Sequence, residues 1–136
     1  MSSEKKSHFD IRVKKTRSGL GLVSFSLIQK GETLIEYIGH RVPANEAPTN
    51  KYIFNVNEAI DIDGSPRFNK ARYINHACRP NCEAVNRDDR IFIVAKRTIK
   101  VGEELSYDYG KEYFNAYIKP YGCRCEKCVA TRAKKK

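Results

Sequence analysis

Short apolar segments, each ended by a turn, leave this chain few folds to choose from. Phe9-Asp10-Ile11-Arg12-Val13 alternates apolar and polar residues, as a half-buried strand does. Strand-like segments follow at Leu20–Phe25 and Thr33–Gly39, after turns at Thr16–Gly19 and Gln29–Glu32. Pro43 and Pro48 frame a polar loop over 43–50. Tyr52–Val56 and Ala59–Asp63 read as two strands about an Asn57-Glu58 turn, and Asp63-Gly64-Ser65-Pro66 turns again. Cys82–Val85 and Arg90–Ala95 pair as a hairpin across Asp88-Asp89, and Leu105–Tyr109 is a last short strand. Helix is confined to one turn within Phe68–Ile74 and a stretch at Lys111–Tyr117. The expected fold is mostly β, built of short strands, with a small C-terminal appendix.

The chain has 136 residues, the size of one domain, and 40% of them are hydrophobic, which is enough for a single core. No apolar run approaches the ~20 residues of a membrane span. Met1-Ser2-Ser3-Glu4-Lys5-Lys6 opens no secretory leader, so the expected location is intracellular: the cytoplasm of a bacterium, or the nucleus where there is one. The net charge of +10 is terminal. Residues 1–18 carry six Lys/Arg against two acids and residues 119–136 carry seven against one, leaving 19–118 balanced. Such ends serve as solvated tails, or dock on nucleic acid or another acidic surface; composition does not separate the two.

Three segments carry chemistry. Gly19-Leu20-Gly21 offers backbone with little side chain, suited to a bend or to close approach of a ligand, but lacks the third glycine of a dinucleotide fingerprint. Arg72-Tyr73-Ile74-Asn75-His76-Ala77-Cys78-Arg79-Pro80-Asn81-Cys82 crowds amide, imidazole, thiol and guanidinium groups around a single large aliphatic, Ile74. That is a poor way to fill a core and a reasonable way to hold a polar ligand. Gly102-Glu103-Glu104-Leu105-Ser106-Tyr107-Asp108-Tyr109 puts Tyr107 and Tyr109 on one side of a strand. A tyrosine pair is more often core whose hydroxyls find partners, but nearby Glu104 and Asp108 argue for a site. The five cysteines are Cys78, Cys82, Cys123, Cys125 and Cys128. Their odd number and the missing leader disfavour a disulfide framework. Cys123, Cys125 and Cys128 supply three thiolates for Zn²⁺, and Cys78 or Cys82 the fourth of a tetrahedral shell.

From about Ile11 to Cys128 the chain resembles the SET-domain protein lysine methyltransferases. Gly19-Leu20-Gly21, Gly31-Glu32 and Glu36-Tyr37-Ile38-Gly39 look like the family's first segments, and Tyr52-Ile53-Phe54 with Ile60–Gly64 like its middle strands. Asn75–Cys82 is similar to the Asn-His signature, with Ala77 where Ser is common. Gly102–Tyr109 is similar to the tyrosine signature, with Ser106 for Thr. The last cysteines resemble a post-SET zinc element, though two residues rather than four precede Cys128. His40 stands where many members have Glu.

The resemblance implies a β-clip-like SET fold whose two signature segments thread through one another as a pseudoknot. It implies domain limits of 1–8 for a basic, disordered start, 9–110 for the SET domain, 111–129 for a post-SET zinc segment and 130–136 for a basic tail. It implies S-adenosylmethionine as methyl donor, held by the backbone of Gly19, Leu20 and Gly21 and by Asn75 and His76. Tyr109 would be the catalytic tyrosine, Tyr37 a second channel tyrosine and Phe54 a channel wall. Tyr107 would set how many methyl groups are added. Cys78 would join Cys123, Cys125 and Cys128 on zinc. The partner would be a protein presenting a lysine, a histone among the candidates; oligomeric state is left open. The rival expectation is a zinc-stabilised β domain that binds nucleic acid or a lysine-bearing peptide without catalysis. It accounts for the charge and the cysteines, but not for Tyr107, Tyr109 and Asn75-His76 together.

Overall fold

The computed structural model describes residues 9–16, 19–44, 46 and 51–108. Its strands are β1 (Ile11–Thr16), β2 (Gly19–Ser24), β3 (Thr33–Tyr37), β4 (His40–Pro43), β5 (Ile53–Asn55), β6 (Ile60–Asp63), β7 (Asn75–His76), β8 (Cys82–Arg87), β9 (Arg90–Ala95) and β10 (Ser106–Tyr107). A single 3₁₀ turn, Lys70–Tyr73, precedes β7. The expected mostly β domain of short strands is found, arranged as several small sheets.

β1 and β2 form an antiparallel hairpin, and β3-β9-β8 and β4-β6-β5 are antiparallel three-stranded sheets. The β8–β9 turn runs through Asp88 and Asp89 at φ of 52° and 63°. Both lie in the left-handed region, as a two-residue hairpin turn matched to strand twist requires. β7 and β10 differ from the rest. They pair in parallel, Ser106 opposite Asn75 and Tyr107 opposite His76, although about thirty residues separate them.

One core serves all these sheets. Leu22, Ile28, Leu34, Ile62, Ile74, Ile91, Ile93, Ile99 and Leu105 are its fully buried large side chains, so each antiparallel sheet contributes, as do the residues just before β7 and β10. Ile28 and Ile99 also bridge backbone to backbone, closing the connection after β2 against the one after β9.

The loop expected over 43–50 begins later than its prolines suggest. His40–Pro43 is an edge strand on β6, exposed or half-buried along its length, so it carries little apolar periodicity. Proline is tolerated at the end of such an edge. Gly39 is needed at the β3–β4 corner, because a Cβ there would run into the Asp63 carbonyl. The glycines of Gly19-Leu20-Gly21 lie inside β2, with only Gly19 at a positive φ, +100°.

Candidate active site

The site begins with the segment before β10. Residues 102–105 run antiparallel to β2: Gly102 N donates to Ser24 O at 2.7 Å, Ser24 N to Glu103 O at 2.9 Å and Leu105 N to Leu22 O at 2.7 Å. Leu105 buries its side chain and anchors this run. The chain then leaves β2 and joins β7, where Ala77 N donates to Tyr107 O at 3.3 Å. Asn81 locks the junction with its side chain. Its Oδ1 accepts from Ser106 N at 2.9 Å and its Nδ2 donates to Glu104 O at 2.9 Å, the two bonds a neighbouring peptide would make. Asn81 is buried, so both bonds are partly shielded from water.

Asn75 is thereby brought against β2. Its Nδ2 donates to Leu20 O at 3.1 Å and to Glu104 Oε2 at 2.8 Å. Gly21 makes room for this arrangement: a Cβ there would lie 2.6 Å from Glu104 Oε2 and 3.0 Å from Asn75 Nδ2. The glycine expected to admit a ligand thus admits the chain's own carboxylate and amide. The Leu20 carbonyl is taken by Asn75 and the Gly19 carbonyl by the Thr16 hydroxyl, so these two acceptors are already engaged.

His76, beside Asn75, has a side chain only 4% exposed. Burial holds its pKa below the ordinary imidazole value, and the Asp108 carboxylate, 3.8 Å from Nδ1, offsets part of that effect. Its Nε2 faces the Cys78 sulfur at 3.7 Å. Cys82, four residues on, is buried in the core, and burial pushes its thiol up to about 12.

A second group of side chains lines the β3–β5 side. Tyr37 is buried; its hydroxyl donates to Tyr52 O at 2.6 Å and its ring lies 5.3 Å from that of Phe54. Gly64 abuts the Tyr37 ring with no space for a Cβ. Asn69, fully buried, holds this corner by donating to Gly64 O at 3.0 Å and accepting from Ile38 N at 3.2 Å. The Arg72 guanidinium stacks on Tyr52 at 4.4 Å and stands 5.2 Å from the Tyr73 ring. Tyr107 is buried with its backbone in β10.

The structure therefore brings Asn75, His76 and Tyr107 onto one paired element, with Cys78 beside His76 and with Gly21 and Leu20 against Asn75. Tyr37 and Phe54 form a separate aromatic contact. Tyr109, Cys123, Cys125 and Cys128 lie outside the described residues. Sequence reasoning left Asn81, Arg72 and Asn69 without roles and gave Glu104 none beyond proximity to the tyrosines. Asn81 reaches Glu104 and Ser106, 23 and 25 residues away, Asn69 reaches Ile38, 31 away, Arg72 reaches Tyr52, 20 away, and Glu104 reaches Asn75, 29 away; no local periodicity reports such pairings.

The SET domain family model matches residues 19–110. The chain belongs to the SET domain family. A histone-lysine N-methyltransferase, H3 lysine-36 specific, of Mus musculus is 34% identical over 124 residues, covering 79% of this chain and 5% of the relative. Histone-lysine N-methyltransferase ASHH3 of Arabidopsis thaliana is 33% identical over 131 residues, 82% of this chain and 36% of its own length. Histone-lysine N-methyltransferase trr of Drosophila melanogaster is 43% identical over 105 residues, 67% and 4%. The chain thus spans about a third or less of these relatives. A similar solved structure is KRYPTONITE in complex with mCHH DNA, an H3(1–15) peptide and SAH, with a TM-score of 0.69 and 31% identity over 79% of this chain and 24% of that one. Likeness to a SET structure agrees with the expected fold class. No helix among the described residues is long and apolar enough to cross a membrane.

Proposed function

We propose that this SET domain is a protein-lysine N-methyltransferase that uses S-adenosylmethionine and acts on a histone or a similarly basic protein. The observation that carries the reading is the parallel β7–β10 pair, which sets Asn75 and His76 beside Ser106 and Tyr107 and Asn75 against Gly21, in a chain whose relatives are named for histone-lysine methylation. The structural neighbour's H3 peptide and SAH support the same substrate class and donor. The residues fit the donor. Asn75 Oδ1 accepts nothing among the described residues and suits an amine. His76 is buried and neutral near pH 7, and no side chain would be met above Gly19.

When bound, S-adenosylmethionine supplies an electrophilic methyl group on a sulfonium centre. The chain's own task is to present a neutral amine, since a free lysine has a pKa near 10.4. The Tyr37–Phe54 contact offers an apolar wall that disfavours the ammonium form. Tyr37 itself is no base: its hydroxyl already donates to the Tyr52 carbonyl. By family resemblance, Tyr109 orients the reacting groups and Tyr107 limits how far an already methylated amine can turn.

Zinc fits the same reading. Cys78 is partly exposed and Cys82 fully buried with its thiol pushed up to about 12, which favours Cys78 as the fourth ligand with Cys123, Cys125 and Cys128. The basic ends serve as an accessory contact to the nucleic acid that accompanies such a substrate. For family members acting on histones in cells with nuclei, the place of action is the nucleus.

The deciding experiment is incubation with labelled S-adenosylmethionine, a histone mixture and a source-cell lysate. A labelled histone band is expected. Donor binding with no labelled protein of any kind would replace the enzyme by a catalytically silent, peptide-binding SET fold.

A further inference from the structure

We infer that Glu104 is the positioning residue that fixes the Asn75 amide with only its oxygen left for the ligand, and so sets how strongly Asn75 prefers the donor's amine, the end that the family resemblance already gives to this asparagine. The inference rests on the proposed use of an S-adenosyl donor.

The Asn75 amide has two neighbours. Leu20 O, at 3.1 Å, and Glu104 Oε2, at 2.8 Å, are both acceptors and have no proton to give. A carboxamide that faces two acceptors must turn its NH2 toward them, whichever way it would be assigned in isolation. Both N–H bonds are then used inside the protein. Oδ1 is left without a partner among the described residues. A ligand group at Oδ1 must therefore donate, and an ammonium does so better than a neutral N–H.

Glu104 strengthens the preference by charge. Its nearest cationic neighbours would be seen as ion pairs, yet the pairs found nearby belong to Glu103, whose carboxylate faces Arg97 at 3.0 Å. No ion pair involves Glu104 among the described residues. A carboxylate one hydrogen bond behind the accepting oxygen polarises the amide and favours a positive ligand.

The fold is arranged to keep Glu104 there. Val23 and Glu104 bridge, Leu105 N is tied to Leu22 O, and Asn81 holds the Glu104 carbonyl, so the backbone at 104 is fixed on both sides. Gly21 leaves the carboxylate its space.

The test compares S-adenosylhomocysteine with the analogue that lacks its α-amino group by calorimetry on the full chain, in wild type, Glu104→Ala and Glu104→Gln. One charge-assisted hydrogen bond corresponds to about tenfold or more in affinity, so the wild type should favour the amine-bearing ligand by at least that ratio. Glu104→Ala should bring the two ligands to within about threefold of each other, as for a lost amine contact. Glu104→Gln keeps an acceptor for Asn75 Nδ2 and should hold a ratio between the two. A merely structural role would weaken both ligands together and leave the ratio unchanged, and that result would overturn the proposal; so would Gln behaving as Ala.

Amide exchange by NMR on the ligand-free protein gives an independent reading, usable even where Glu104→Ala does not fold. The Asn75 side-chain N–H groups should be protected in wild type and Glu104→Gln. Exchange at the rate of a solvent-exposed asparagine in wild type would overturn the orienting role. A wild type with a protected amide that binds neither ligand would instead overturn the donor reading, and with it the amine selection.

Discussion

Cys78 and Cys82 are the same side chain in two media. Cys82 packs in the core opposite Ala95, and its thiol, pushed up to about 12 by burial, stays protonated at neutral pH. Cys78 is partly exposed beside His76. In metal-free protein at pH 8, iodoacetamide should therefore label Cys78 and spare Cys82; equal labelling read by peptide mass spectrometry would contradict the burial argument. Protein purified without chelator should carry zinc that Cys78→Ala removes and Cys82→Ala retains, measured by elemental analysis. Two tyrosines give a parallel contrast. Tyr109→Phe removes one hydroxyl and little volume, so folding should survive while turnover falls by about a hundredfold or more, the scale of one lost transition-state contact. Tyr107→Phe should keep activity and move the product from mainly monomethyl toward higher methylation. Mass spectrometry of a long reaction decides this, and an unchanged distribution would return Tyr107 to packing.

The β7–β10 pair is two residues long on each side, too short to hold itself. Asn81 supplies the missing ladder bonds. Asn81→Ala should strand Ser106 N and Glu104 O, both within a partly shielded junction, and cost on the order of 2–6 kcal/mol at about 1–3 kcal/mol per unsatisfied group. Urea unfolding with an unchanged m-value would measure it; a loss below about 0.5 kcal/mol would mean that water replaces the amide. Glu103, in the adjoining segment, links stability to pH. Burial alone would raise its pKa, but the Arg97 guanidinium, the Lys100 N–H and the Asn81 amide outweigh that and hold it below the ordinary value. A carboxylate depressed in the folded state contributes stability that is present above the unfolded-chain value of about 4.3 and lost as pH falls through the lower, folded value. Glu103→Gln should flatten the fall in unfolding midpoint below about pH 4.3 and change little at pH 7, where an exposed pair is worth about 1 kcal/mol or less.

For the whole molecule, the charge of +10 sits mostly at the two ends. If those ends meet nucleic acid, activity on a nucleic-acid-bound histone should fall steeply between about 50 and 200 mM salt, while activity on a short histone peptide falls far less. Superimposable salt curves would leave the ends as solvated tails. The strand content, the β8–β9 hairpin, the 3₁₀ turn near Lys70 and the polar character of 75–82 were legible in the sequence, because alternation, turn residues and polar crowding are local properties. The edge strand His40–Pro43 was not, since an exposed strand paired along one side has no apolar period to display. The resemblance supplied Asn75 and His76 as site residues and could not say what holds them. That Gly21 makes room for Glu104, that Asn81 stands in for a strand, and that Asn75 is left with one open acceptor all depend on the 102–107 segment crossing from β2 to β7. Contacts between residues so far apart in the chain are set by which backbone groups must be satisfied once the core closes, and only the tertiary structure decides that.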